Sequence, residues 1–376
     1  MQKISELKIV IIGTAYPYRG GIASFNERMA RELVSMGHDV VIYTFTLQYP
    51  SFLFPGKTQY SNDPKPENLK IIPLINSVNP LNWIKAGIKI RKENPDIIIS
   101  KFWIPFMGPS LGTIIRLAKK KHTKTISVLD NIIPHEKRVG DFILAKYYVN
   151  TIDKFIAMSS SVKVDMKKFT KSKPVILIPH PVYDNYGDIL DKKTARKYLK
   201  IEENGKYVMF FGFIRDYKGL DLLLKAMDNR KIKRLKIKCI IAGEYYGNKE
   251  KYEKLIEKLN IGDRLILKTD FIPNEEVKYY FSAADLIVQP YKTATQSGIS
   301  QLAFHFEKPM VVTNVGGLPE IVDNGKSGYV VDPDPNSISD AIIDFFETGN
   351  ENIFIEKVKQ KKKEFSWYNF VKNMLY

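Results

Sequence analysis

Residues 285–320, DLIVQPYKTATQSGISQLAFHFEKPMVVTNVGGLPE, restrict the fold more than any other stretch of the chain. An apolar run at 285–289 stops at Pro290, and a polar loop follows. Gly298 then opens a segment with Ile299, Leu302, Ala303 and Phe306 at helical spacing. A second apolar run at 310–313 ends in the turn Gly316-Gly317. Strand, loop, helix and strand make one βαβ unit, and such units bind ligands where strands end and helix N-termini point. The loop 293–300 carries hydroxyls, an amide and unpaired backbone N–H groups, which suit an anion such as a diphosphate. The same small residues would also serve an ordinary connection.

The βαβ grammar recurs along all 376 residues, enough chain for two domains with separate cores. The single cysteine, Cys239, excludes an internal disulfide and sits in the apolar run KCIIAG, so it reads as a packed thiol. The start shows no leader pattern. The longest apolar region, 102–115, is broken by prolines and glycines and is too short to span a bilayer. The expected location is cytoplasmic, with peripheral attachment at the inner face of the cytoplasmic membrane as an extension. The net charge of +17, mostly lysine, admits three readings: a lysine-decorated solvated surface, an anionic membrane surface or phosphate-bearing substrate, or nucleic acid. No nucleic-acid module accompanies the charge, so nucleic acid is not the expected partner.

The first half opens with LKIVIIG (7–13), a continuous apolar run typical of a buried parallel strand. TAYPYRGG follows, then a helical pattern from Ile22 to Met36 that stops at Gly37. Gly20-Gly21 lets the backbone approach a ligand at the helix start, or simply supplies a turn, with Arg19 beside it. Residues 46–69 read as a long aromatic loop, and loops beyond about 15 residues are usually functional or disordered. The aromatics in KFWIPFMGP (101–109) lie at a strand end, either at a crevice or in the core. DNIIPHEKR (130–138) packs Asp130, Asn131 and His135 just past another strand, where carboxylate and imidazole suit proton transfer and sugar hydrogen bonds, or an N-cap and solvated loop.

The pattern restarts at KYVMFFGFIRDYKGLDLLLKAM (206–227), where Arg215 and Lys218 stand in a short loop before a helix. Basic side chains and a helix N-terminus together attract a diphosphate. IKCIIAGE ends at Glu244, and RLILKTDFIP (264–273) carries Phe271 and Ile272 at its end. DPDP (332–335) lies in a Pro-rich turn and is not read as a metal site.

The phrases KPMVVTNVGGLPE (308–320) and DNGKSGYVV (323–331) resemble the donor half of the retaining family 4 glycosyltransferases, glycosyl transferases group 1. That resemblance implies an α/β chain of the GT-B fold: two Rossmann-like domains facing across a cleft, with a C-terminal helix crossing back to the first domain. The implied boundaries are 1–183 for the acceptor-side domain, 184–358 for the donor domain and 359–376 for the returning helix, which FSW at 365–367 introduces. It also implies a nucleotide-sugar donor, a glycan or lipid-linked acceptor and no metal or other cofactor. Asp130, His135 and Lys218 would be catalytic. Arg215, Lys218, Glu244, Phe271, Ile272, Thr295, Gln296, Ser297, Gly298 and Ile299 would bind donor, with Arg19, Gly20, Gly21 and Asn131 on the acceptor side. Lys218-Gly219 matches the family pattern, whereas Phe213 stands where the family has arginine. The family's two glutamates, seven residues apart, fall on Ala294 and Leu302 when counted back from Lys308-Pro309. The alternative reading is therefore a catalytically silent sugar-nucleotide-binding or partner subunit of the same fold.

Overall fold

A computed structural model describes residues 6–50, 58–61, 64–134, 138–294 and 297–376. The chain forms two compact units, residues 1–180 with 367–376, and residues 181–366. Among the described residues no helix is long and apolar enough to cross a membrane.

The first unit runs β1 (Lys8–Ile12), α1 (Gly21–Ser35), β2 (Asp39–Leu47), β3 (Lys70–Asn76), α2 (Pro80–Lys92), β4 (Ile97–Phe102), α3 (Gly108–Ala118), β5 (Lys124–Leu129), α4 (Asp141–Val149), β6 (Lys154–Ala157), α5 (Ser160–Met166) and β7 (Val175–Leu177). All pairings are parallel, in the order β3-β2-β1-β4-β5-β6-β7. The continuous apolar runs follow from this: β1 and β4 are covered on both faces, and Ile9 to Ile12 are fully buried. From β1 the chain first builds leftward to β2 and β3, then crosses back and builds rightward from β4. Right-handed crossovers therefore put α1 on one face and α2 to α5 on the other.

The 46–69 region differs in part from its reading as loop. β2 continues to Leu47, and Tyr60 bridges back to Tyr18. In the segment after β4, Phe102 is core, with Trp103 and Phe106 packed against it, so these aromatics are structural.

The second unit runs α6 (Lys192–Leu199), β8 (Lys206–Phe211), α7 (Leu220–Met227), α8 (Arg230–Arg234), β9 (Ile237–Ala242), α9 (Lys249–Leu259), β10 (Leu265–Lys268), α10 (Val277–Ala283), β11 (Leu286–Gln289), α11 (Gly298–His305), β12 (Met310–Thr313), β13 (Gly328–Val331), α12 (Pro335–Thr348) and α13 (Glu351–Lys362). Its parallel sheet has the order β10-β9-β8-β11-β12-β13. Cys239 is buried in β9, and burial pushes its thiol up to about 12. The last helix, α14 (Trp367–Leu375), belongs to the first unit. There Trp367 and Phe370 close edge-on around Phe25 of α1, at 5.0 Å and 5.6 Å between ring centroids.

Candidate functional site

Each sheet has one place where strand order reverses; Arg215, Lys218, Ser297, Gly298 and Ile299 lie at the one in the second sheet, whereas Glu244 follows β9 and Phe271 and Ile272 follow the edge strand β10. In the second unit the reversal lies between β8 and β11. The loop after β8 carries Arg215 and Lys218, and the loop after β11 leads to Ser297, Gly298 and Ile299. A crevice between diverging crossovers is the standard binding position in such sheets.

Three glycines let these loops converge. A Cβ on Gly219 (φ 67°) would fall 1.9 Å from the Pro290 carbonyl oxygen, so the start of α7 touches the end of β11 only with glycine there. A Cβ on Gly243 would fall 2.3 Å from the Gly212 oxygen. A Cβ on Gly212 would lie 3.1 Å from Lys218 Nζ and 3.3 Å from Ile299 Cδ1, so Lys218 and the first turn of α11 adjoin one point above Gly212.

Charge then separates Lys218 and Arg215 from their neighbours. Lys292 is taken by Asp221 at 2.9 Å and Asp216 at 3.3 Å, and Lys251 also pairs with Asp216. Among the described residues neither Lys218 nor Arg215 has a carboxylate within 4.0 Å. Arg215 instead lies 4.0 Å over the Tyr246 ring. Burial, and secondarily the Arg215 charge, lower the half-buried Lys218 ammonium to about 8. Two adjacent cations that lack an acid are arranged for an anion.

The start of α11 is a hydroxyl and amide network. Ser297 caps the helix by accepting from Ile299 N–H, and its hydroxyl lies 3.1 Å from that of Tyr291. Ser300 Oγ donates to Gln289 Oε1, and Thr313 Oγ1 donates to the Tyr291 carbonyl. Gln301 Oε1 is buried without a partner among the described residues. Leu302 lies on the buried side of the helix and Ala294 is half-buried. Glu244 is buried at the end of β9, Phe271 is exposed and Ile272 half-buried. Thr295 and Gln296 lie outside the described residues.

In the first unit the reversal lies between β1 and β4. Gly20 (φ 103°) precedes α1 with no side-chain cap, and Gly20 and Gly21 are both exposed. Arg19 is turned to the 58–60 segment: its Nε donates to Thr58 O at 2.9 Å and its backbone N–H to Gln59 O. Beyond β5, the Asp130 N–H donates to Phe102 O, which sets the carboxylate at the strand end beside the half-buried Asn131. There the structure adds a residue that the sequence reading passed over. Lys101, the last residue but one of β4, is 2% exposed, with its Nζ 3.0 Å from Asp130 Oδ1 and 3.4 Å above the Phe25 ring centroid. Burial lowers the Lys101 ammonium and raises the Asp130 carboxyl, while the pair itself works in the opposite sense on both. The signal was present as a lysine inside the apolar run IIISKF. Close by, Thr14 Oγ1 and Asn26 Oδ1 are buried without partners among the described residues. His135 lies outside the described residues. Among those residues no cluster of His, Cys, Asp or Glu could hold a metal ion.

Comparison with known proteins bears on both units. Residues 19–185 match the profile described as Glycosyltransferase Family 4, and residues 191–363 the one described as Glycosyl transferases group 1. An uncharacterized glycosyltransferase of Methanocaldococcus jannaschii is 25% identical, over 97% of this chain and 96% of its own. Among solved structures, sucrose-phosphate synthase from Thermosynechococcus elongatus superposes with a TM-score of 0.76 at 17% identity, covering 98% of this chain and 97% of that one. Anabaena HepE in complex with UDP-glucose gives 0.74 at 15% identity, covering 98% of each chain. These likenesses establish the fold: both sheets are the Rossmann-like units of a GT-B protein.

Proposed function

The chain belongs to the family 4, group 1 glycosyltransferases, and from that premise we propose that it moves a sugar from a nucleotide-diphosphate sugar to a hydroxyl of a glycan or lipid-linked acceptor, with retention and without a metal. The observation that carries this reading is the Lys218 and Arg215 pair, which has no acid partner among the described residues and adjoins the N-terminus of α11. A departing diphosphate brings the negative charge that this pair lacks. In the transfer the bond from the anomeric carbon to the diphosphate oxygen breaks, and its electrons stay on that oxygen. The acceptor oxygen bonds the same carbon on the same face, and its proton passes to the leaving phosphate. Positioning and charge stabilisation do most of the work in such a step. Lys218 and Arg215 hold the phosphates, Ser297, Gly298 and Ile299 line the start of α11 beside them with Gly298 offering its N–H, and Glu244, Phe271 and Ile272 flank the nucleoside. On the first unit, Asp130 accepts a hydrogen bond from a sugar hydroxyl, beside Asn131 and the exposed Gly20 and Gly21.

The second reading, a silent sugar-nucleotide-binding subunit, draws on Ala294 and Leu302, where no carboxylate stands. One set of measurements separates the two. Titration calorimetry against UDP-, GDP- and ADP-glucose reports binding, and proton NMR of the anomeric signal reports donor consumption. Binding with turnover that Lys218→Ala abolishes supports the transferase. Binding without turnover across hydroxyl acceptors supports the silent subunit, and no binding of any sugar nucleotide defeats both.

A further inference from the structure

The first unit displays a second kind of surface, away from both strand-order reversals. Helix α2 buries Ala86, Gly87 and Ile90. Its opposite side exposes Leu81 at 70%, Ile84 at 45% and Ile88 at 47%. At 100° per residue these three fall within about 60° of one another, a single apolar stripe along the solvent side of the helix. Lys85, Lys89 and Lys92 border the stripe on one side and Arg91 on the other. Residues 78–92 contain no aspartate or glutamate, and the next acid, Glu93, is taken by Lys8 and Tyr43.

The neighbouring helices continue this face. Gly87 lets α2 close on Leu117 of α3, and Gly112 lets α3 close on Tyr147 of α4, since a Cβ at either glycine would meet those side chains at 2.6 Å and 2.8 Å. Crossover handedness puts α2, α3 and α4 on one side of the sheet. On α4, Phe142 and Ile143 are exposed in turn, Ile143 at 72%. The cation-edged apolar ridge is that of α2; α4 adds the exposed Phe142 and Ile143 beside Asp141 and Lys146.

We propose that this face, led by the Leu81, Ile84 and Ile88 stripe of α2, docks on an anionic lipid bilayer. The partner is chosen by shape and charge. Large apolar side chains on a convex helix, flanked by lysines and free of acids, suit insertion just below anionic headgroups. A protein partner would need a groove to receive the ridge, whereas a bilayer adapts to it. The inference adds a partner to the transferase reading above, since a lipid-linked acceptor would lie in such a surface. Its test uses neither donor nor acceptor, so the two readings fail separately.

The test is co-sedimentation of the full chain with phosphatidylglycerol–phosphatidylethanolamine vesicles, and with phosphatidylcholine vesicles, at physiological salt. The chain should bind the anionic vesicles and bind phosphatidylcholine at least about tenfold more weakly. Replacing the stripe (Leu81→Ser, Ile84→Ser, Ile88→Ser) and reversing its border (Lys85→Glu, Lys89→Glu, Lys92→Glu) should each weaken anionic binding by about tenfold or more. The equal charge reversal Lys225→Glu, Lys233→Glu, Lys236→Glu, on exposed lysines of the second unit, should change it by no more than about twofold. All six α2 positions are exposed, and urea unfolding checks that the variants stay folded. Absence of anionic binding, equal binding to both vesicle types, full binding by the serine variant, or equal loss in the second-unit variant would each overturn the proposal. The last two outcomes would leave only a diffuse effect of the net charge.

Discussion

Lys101 Nζ lies 3.0 Å from Asp130 Oδ1, a contact that joins the ends of β4 and β5. The ammonium also rests on the Phe25 ring, so it is enclosed by one anion and one aromatic face. Removing the lysine alone leaves a carboxylate in a largely desolvated place. Lys101→Met should cost about 3 kcal/mol or more in urea unfolding, whereas the joint change Lys101→Met with Asp130→Leu should recover most of that loss. A loss no greater for the single variant than for the joint one would show that the pair does not hold this corner together.

Lys218 gives a pH dependence of definite sign. Its folded pKa, about 8, lies below the ordinary 10.5. Between those values the unfolded chain holds more protons, so the free protein gains stability as pH rises from about 8 toward 10.5. Below about 8 the lysine is a standing cost, and Lys218→Met should raise stability by about 1 kcal/mol at neutral pH, after allowance for partial solvent screening. If Lys218 holds the diphosphate as proposed, binding needs the ammonium, and UDP affinity measured by calorimetry should fall about tenfold from pH 7 to pH 9. A flat profile would remove Lys218 from the phosphate site.

The glycine contacts predict a contrast within one unit. Gly219→Ala places a methyl against the Pro290 oxygen at a positive φ and should cost about 2–4 kcal/mol in thermal or urea unfolding. Gly262→Ala meets nothing within 4 Å and should stay within about 0.5 kcal/mol. Equal effects would mean that α7 and β11 do not depend on that close approach.

Restoring an acid at the family position should fail in a particular way. Leu302 is 4% exposed, so Leu302→Glu buries a carboxyl and should lower stability by about 3 kcal/mol or more, seen as a depressed Tm, with no gain in turnover. Ala294→Glu, at a half-buried loop position, should be tolerated. A Leu302→Glu variant with an unchanged Tm and raised turnover would show that the helix face had been assigned wrongly.

Both βαβ sheets were legible because buried parallel strands read as unbroken apolar runs, and β1, β4 and β11 are such runs. β3 was passed over: Pro73 and its half-exposed side chains mark an edge strand, whose signal is weak. Lys218 and Gly298 could be placed in advance because a helix N-terminus after a strand fixes their position. Lys101 could not, because its meaning depends on Asp130 and Phe25, which are 29 and 76 residues away and meet it only through strand register and the α1 crossover. Similarly, only the packing of α11 reveals that Leu302 is turned to the core while Ser297 and Ser300 carry the polar contacts.

The placement of α14 bears on the order of events during synthesis. Phe25 waits for Trp367 and Phe370, which are translated after the entire second unit. The second unit is contiguous and can close as soon as it leaves the ribosome. The first emerges earlier yet lacks the α14 side of its Phe25 cluster until residues 367–375 have been made, so chaperone contact during translation should concentrate on α1.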